Sequence, residues 1–106
     1  DDIKLNPLNA DGEANYWLTC ITIAPESDVT PNQIMDALAE HNIESRPIWK
    51  PMHLQPVFAE CDFFTDCEEG SISEDIFNRG VCLPSDIKNT PEDMDKIINI
   101  ITKLFE

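Results

Sequence analysis

Basic residues are scarce in this chain. Its 106 residues carry seven Lys and Arg against 21 Asp and Glu, a formal net charge of −14. A surface so negative repels phosphate backbones and anionic headgroups, so nucleic acid and anionic membrane are excluded as partners. Glycine is as rare, with three residues, and neither a GxGxxG loop nor a P-loop can be built. A GxSxG nucleophile elbow is missing too. No apolar run reaches the ~20 residues a membrane span requires; the longest, around Tyr16–Ala24, reads as a strand. A secretory leader is not visible, and the opening Asp-Asp reads as the start of a trimmed or mature product or a fragment.

Cysteine is present without a framework. Cys20 and Cys82 lie in apolar runs and read as buried free thiols. Cys61 and Cys67 stand among Asp62, Asp66, Glu68 and Glu69, with no Cys-x-x-Cys pair and no histidine nearby, so no metal centre is expected. This is not a loop-rich disulfide scaffold, and a reducing, cytoplasmic setting is expected. A hydrophobic share of 42% fits a folded domain rather than a disordered tail.

The pattern along the chain predicts an α+β fold. Residues 1–14 are polar, with Pro7 and Gly12, and predict a loop with at most a short extended piece. Asn15–Ile23 is rich in β-branched and aromatic residues and predicts a strand. Thr30-Pro31-Asn32-Gln33 combines an N-cap, a proline at the first helical position and a capping-box partner. It predicts a helix to about His41, with Asn42 as a left-handed stop. Ile43–Ile48 predicts a short strand that Pro47 confines to an edge. Between residues 49 and 59 the prolines allow about one helical turn, around Leu54–Phe58. Residues 60–70 form an acidic loop ending in Gly70. Ser71 or Ser73 then caps a helix that Gly80 ends, and Val81–Pro84 is a short strand. Thr90-Pro91 starts a last helix running to about Phe105, whose apolar stripe is Met94, Ile97, Ile98, Ile101, Leu104 and Phe105. Few strands with helices between them imply a small two-layer domain, a short sheet with helices packed on one face.

One segment departs from the acidic background. Ser45–Ala59 holds Arg46, Lys50 and His53, three prolines, Trp49 and no acid. A stiff loop loses little entropy on gripping a ligand. Arg46 suits bidentate binding of carboxylate or phosphate, and Lys50 acts as a point charge. Trp49 suits stacking on a ring or sugar face, while His53 and Gln55 can exchange hydrogen bonds with hydroxyls. Each residue also has a plainer reading: Trp49 and Met52 as core, Arg46 paired with a surface acid, His53 as a structural histidine, Lys50 as a solvated charge. The acid pairs Asp1-Asp2, Glu68-Glu69 and Glu92-Asp93 read as solvated or helix-N-terminal charges. His41 and His53 lack metal-ligand spacing.

Four stretches carry a resemblance: NYWLTCITI, NIESRPIWKPMHLQPVF, GSISEDIFNRGVCLPS and TPEDMDKIINII. Together, and most of all RPIWKPMHLQP followed by SEDIFNRGVCLPS, they resemble the C-terminal domain of the DegT/DnrJ/EryC1/StrS sugar aminotransferases, from about Asn15 to the end. RPIWKPMH is most similar to the branch serving bacterial surface glycans, of the pilin-glycosylation and bacillosamine type. The resemblance implies the small domain of a fold-type I enzyme, with residues 1–14 as the junction and 15–106 as the domain. It implies pyridoxal 5'-phosphate as cofactor, an amino-acid donor such as glutamate, and a nucleotide-linked keto-sugar, UDP-linked, as acceptor. It places the Schiff-base lysine and the phosphate cup in a preceding large domain, so that this chain alone would hold no catalytic or cofactor-binding residue and be inactive. Lys50 is then not the Schiff-base lysine. Arg46, Trp49, Lys50, His53 and Gln55 would face the donor or the sugar nucleotide. The parent would be a homodimer, the chain alone a monomer. The alternative left by the residues themselves is a free-standing acidic module that binds an anionic ligand or a protein through the same loop.

Overall fold

The computed structural model describes residues 2–66 and 70–106. Along the chain run strand β1 (Ile3–Leu5), strand β2 (Thr19–Ile23), helix α1 (Pro31–Ala39), strand β3 (Arg46–Pro47), helix α2 (Ile72–Arg79), strand β4 (Gly80–Leu83) and helix α3 (Pro91–Thr102). The strands form one antiparallel sheet in the order β1-β2-β4-β3. This is the small two-layer α+β arrangement that the pattern predicts.

Alternation along the strands decides which side is sealed. Ile21 pairs opposite Val81 and Cys20 opposite Cys82. Side chains on successive residues point to opposite faces. Ile21, Ile23, Val81 and Leu83 therefore share a face, where Ile34 and Leu38 of α1 and Ile97 and Ile101 of α3 close the core. The other face carries Cys20, Thr22, Gly80 and Cys82.

The helix starts are built as their sequences dictate. Thr30 Oγ1 accepts from the Gln33 amide at 3.4 Å, and Gln33 Oε1 accepts from the Thr30 amide at 2.7 Å. Thr90 and Asp93 repeat the box, at 3.2 and 2.9 Å. For α2 the cap is Ser71 rather than Ser73, its Oγ accepting from the Glu74 amide at 3.4 Å. Arg79 then fastens this helix to the sheet. Its Nε and Nη2 donate to the Asp75 carboxylate at 2.8 and 2.5 Å, and its Nη1 donates to the Ile23 carbonyl.

Several boundaries differ from expectation for identifiable reasons. The short extended piece in residues 1–14 is a true sheet strand, Ile3 lying opposite Ile23. β2 begins only at Thr19, because Tyr16 takes φ 52° and Asn15 Oδ1 accepts from the Trp17 amide at 3.1 Å, forming a turn before the strand. α1 ends at Ala39, with Asn42 at φ 58° as the stop. β3 is two residues long and ends at its proline on the sheet edge. The helical turn around Leu54–Phe58 is two 3-10 turns, Met52–Leu54 and Pro56–Phe58, because Pro56 interrupts the first. α3 ends at Thr102 and a 3-10 turn, Lys103–Phe105, completes the expected helix; Ile97 and Ile101 are buried and Ile100, Leu104 and Phe105 pack at the core's edge, while Met94 and Ile98 are exposed. Cys82 is buried and Cys20 half-buried, both free, as is exposed Cys61. Cys67, Asp1 and the Glu68-Glu69 pair lie outside the described residues.

Candidate functional site

The face of the sheet away from α1 and α3 is covered at Gly80 by α2 and Ile48, and a groove of about 600 Å³ lies on the rest of it. Cys82 of β4 and Leu18, just before β2, form its floor. Arg46, Pro47, Ile48, Trp49 and Lys50 form one wall, and Trp17 with Phe77 of α2 the rest. Trp17 and Leu18 also border a neighbouring hollow of about 370 Å³ beside Leu5, Leu8 and Tyr16. The two hollows make one apolar surface with two cations at one end. Trp17 is 72% exposed and Trp49 64%, so both indoles present faces to solvent instead of filling core.

Local structure explains the placement. β3 lies opposite β4 with Arg46 across from Cys82, which puts both on the groove face. Pro47 ends the strand, and the chain leaves along the rim as Trp49-Lys50-Pro51. Gln55 Nε2 donates to the Lys50 carbonyl at 3.2 Å and closes this stretch into a loop. Arg46 pairs with Glu44, both side chains more than two-thirds exposed. Such a solvated pair is worth roughly 0–1 kcal/mol, so the guanidinium is transferred to an anionic ligand at small cost.

The five residues singled out in the sequence divide in two. Arg46, Trp49 and Lys50 share the groove. His53 and Gln55 do not line it. His53 is stacked on Phe63 with ring centroids 3.9 Å apart, its Nε2 lies 3.4 Å from Glu74 Oε2, and its side chain is 16% exposed. It borders a separate hollow of about 190 Å³ with Met52, Phe58 and Cys61. In this arrangement His53 and Gln55 brace the basic loop, one against α2 and one against the loop's own backbone. Trp17, Leu18 and Phe77 are groove residues that the sequence reading left as strand and helix positions. The signal was available for Leu18, which lies on the Cys20 face by alternation.

Lys4, Lys50, Lys88, Lys96 and Lys103 are all exposed, and the Ser45 hydroxyl oxygen is buried with no hydrogen-bond partner. The described residues also hold no group of three or more His, Cys, Asp or Glu placed to bind a metal ion. None of the helices among them is long and apolar enough to cross a membrane.

A crystal structure of a DegT DnrJ EryC1 StrS aminotransferase from Brucella abortus superposes with a TM-score of 0.74, at 23% identity, over 97% of this chain and 26% of that one. That likeness shows the fold. The family model for the DegT/DnrJ/EryC1/StrS aminotransferase family matches residues 2–102, and the chain belongs to this family. EpsN of Bacillus subtilis (strain 168), named as a pyridoxal phosphate-dependent aminotransferase, is 40% identical over 105 residues, which is 99% of this chain and 26% of EpsN. The GDP-perosamine synthase of Vibrio cholerae is 29% identical over 104 residues, covering 93% of this chain and 28% of the synthase. The chain spans about a quarter of the length of the curated relatives it matches.

Proposed function

We propose that this chain is the C-terminal small domain of a cytoplasmic, pyridoxal phosphate-dependent sugar aminotransferase, with residues 15–106 as the domain and 1–14 as the lead-in that contributes β1. The reaction moves an amino group from an amino acid, glutamate, to the keto carbon of a nucleotide-linked sugar, UDP-linked, in the making of bacterial surface glycans such as those on pilin. The cofactor is held outside this chain, in a large domain of a homodimeric parent. This domain's part is to wall one side of the substrate cleft. The observation that carries the reading is the groove itself: two exposed indoles, Trp17 and Trp49, beside Arg46 and Lys50. Stacking surfaces next to cations are what a base or sugar ring joined to a diphosphate requires. His53 and Gln55 support this wall by holding the loop, and Gln55 faces substrate only through the loop it closes.

The test uses the full-length protein with pyridoxal phosphate, glutamate and a panel of keto-sugar nucleotides. Arg46→Ala with Lys50→Ala removes two charge-assisted contacts, each worth about 1.5–3 kcal/mol. The KM for the sugar nucleotide is expected to rise at least about tenfold. Unchanged kinetics for both donor and acceptor would remove these residues from the site.

A further inference from the structure

Cys20 and Cys82 face one another directly across β2 and β4. The backbone of Cys20 is engaged on its other side: its carbonyl accepts from the Asn6 amide at 2.9 Å and its amide donates to Asn6 Oδ1 at 3.2 Å. In an antiparallel ladder the N–H and C=O of one residue point the same way, so Cys20 and Cys82 form a non-hydrogen-bonded pair. Such pairs bring Cα atoms to about 4.5 Å, inside the ~4.4–6.8 Å range of disulfides.

We propose that Cys20 and Cys82 are a reversible modification site, a dithiol that a peroxide converts to a cross-strand disulfide beneath the groove. One thiol loses its proton to solvent, and the thiolate attacks a peroxide oxygen. The O–O bond breaks, hydroxide leaves, and a sulfenic acid forms. The second sulfur attacks the sulfenic sulfur, the S–O bond breaks, and the two protons released complete two waters. Two thiols and one hydrogen peroxide thus give one disulfide and two waters, with sulfur oxidised and peroxide reduced. Directly opposed strand residues hold Cβ atoms about 4.5–5.5 Å apart, at the short end in non-hydrogen-bonded pairs, and a relaxed disulfide spans about 3.5–4.5 Å, so the two sulfurs can be joined with little movement of the strands. Burial, and then the neighbouring Cys82, push the Cys20 thiol up to about 11, so thiolate is scarce at neutral pH and its attack on peroxide is slow. Cys82 lines the groove and lies across from Arg46 of β3, so the link ties β2 to the strand against which the cationic wall is paired.

The experiment exposes the 106-residue chain, and a Cys61→Ser, Cys67→Ser variant, to hydrogen peroxide. Remaining thiols are alkylated without reduction and the digest is read by mass spectrometry. The expected result is a Cys20–Cys82 linked peptide pair that grows with time in both proteins and disappears after dithiothreitol. In Cys20→Ser the oxidation of Cys82 should stop at a sulfenic acid that dimedone traps. Should Cys20→Ser fail to fold, the peptide map of the unsubstituted chain still decides. Recovery of both cysteines as alkylated thiols, after exposure that fully oxidises glutathione, overturns the proposal. A link from Cys82 to Cys61 in place of Cys20 overturns it equally.

Discussion

Gly80 sits where α2 passes directly into β4, and the structure leaves no room for a side chain there. A Cβ at this position would lie 2.3 Å from Ile48 Cγ1 and 2.5 Å from the Ile76 carbonyl oxygen. Ordinary carbon contacts fall at about 3.5–4.0 Å. The backbone angles of Gly80, φ −103° and ψ 149°, suit any residue, so the whole cost of Gly80→Ala is steric. Ile48 can swing aside, but the carbonyl belongs to the helix and cannot. Overpacking of this kind costs about 1–3 kcal/mol, and a fixed backbone atom puts the value in the upper half of that range. Alanine also lowers the entropy of the unfolded chain, which offsets about 0.4–1 kcal/mol. The net loss is about 1–2.5 kcal/mol, a fall in Tm of roughly 5–15 °C for a chain this long. Far-UV circular dichroism during heating and in urea measures it. Ile48→Ala removes the softer of the two clashes, so Gly80→Ala should cost about 1 kcal/mol less in that background. A Gly80→Ala protein that melts within about a degree of the parent would refute the steric argument.

Two further outcomes test the packing and the charges. Leu38 is wholly buried between α1 and the sheet, so Leu38→Ala should cost about 2–5 kcal/mol. The urea midpoint should fall with little change of slope, while Ile98→Ala on the exposed side of α3 should shift it little. Acid should weaken the fold through two aspartates. The Arg79 guanidinium holds the Asp75 carboxyl below its ordinary value of 3.8, and the Thr90 amide and hydroxyl do the same for Asp93. Both contribute stability that is complete above 3.8 and is lost as pH falls below it, once the folded-state carboxylates take up protons. A Tm-against-pH curve should therefore be flat near neutrality and drop in acid. The drop should be shallower in Asp75→Asn.

Much of this fold can be read from local rules because the ends of its elements are chemically explicit. The Thr-Pro starts of α1 and α3, the serine cap of α2 and the left-handed Asn42 each follow from a side chain acting within a few residues of itself. Reading fails where a distant partner decides. Ile3–Leu5 is polar in its surroundings and becomes a strand only because β2 offers it a free edge. Which apolar residues of α3 are sealed depends on where α1 lies, which no periodicity within α3 reports. The site divides the same way. The lack of acids in Ser45–Ala59 exposed the cationic wall. The other walls, Trp17 and Phe77, lie 28 residues before Ser45 and 32 after it, positions that only the fold brings together. His53 illustrates the limit of composition: a loop rich in hydrogen-bonding residues says nothing of which ones already have partners, and Glu74 and Phe63 engage this one.

The pleat of β2 gives consecutive residues different employers. Ile21 and Ile23 answer to the helices, and exchanging either threatens folding. Cys20 and Thr22 point the other way, to the side on which Cys82 lines the groove. Residues on one side of such a strand can therefore change while the packed side stays fixed.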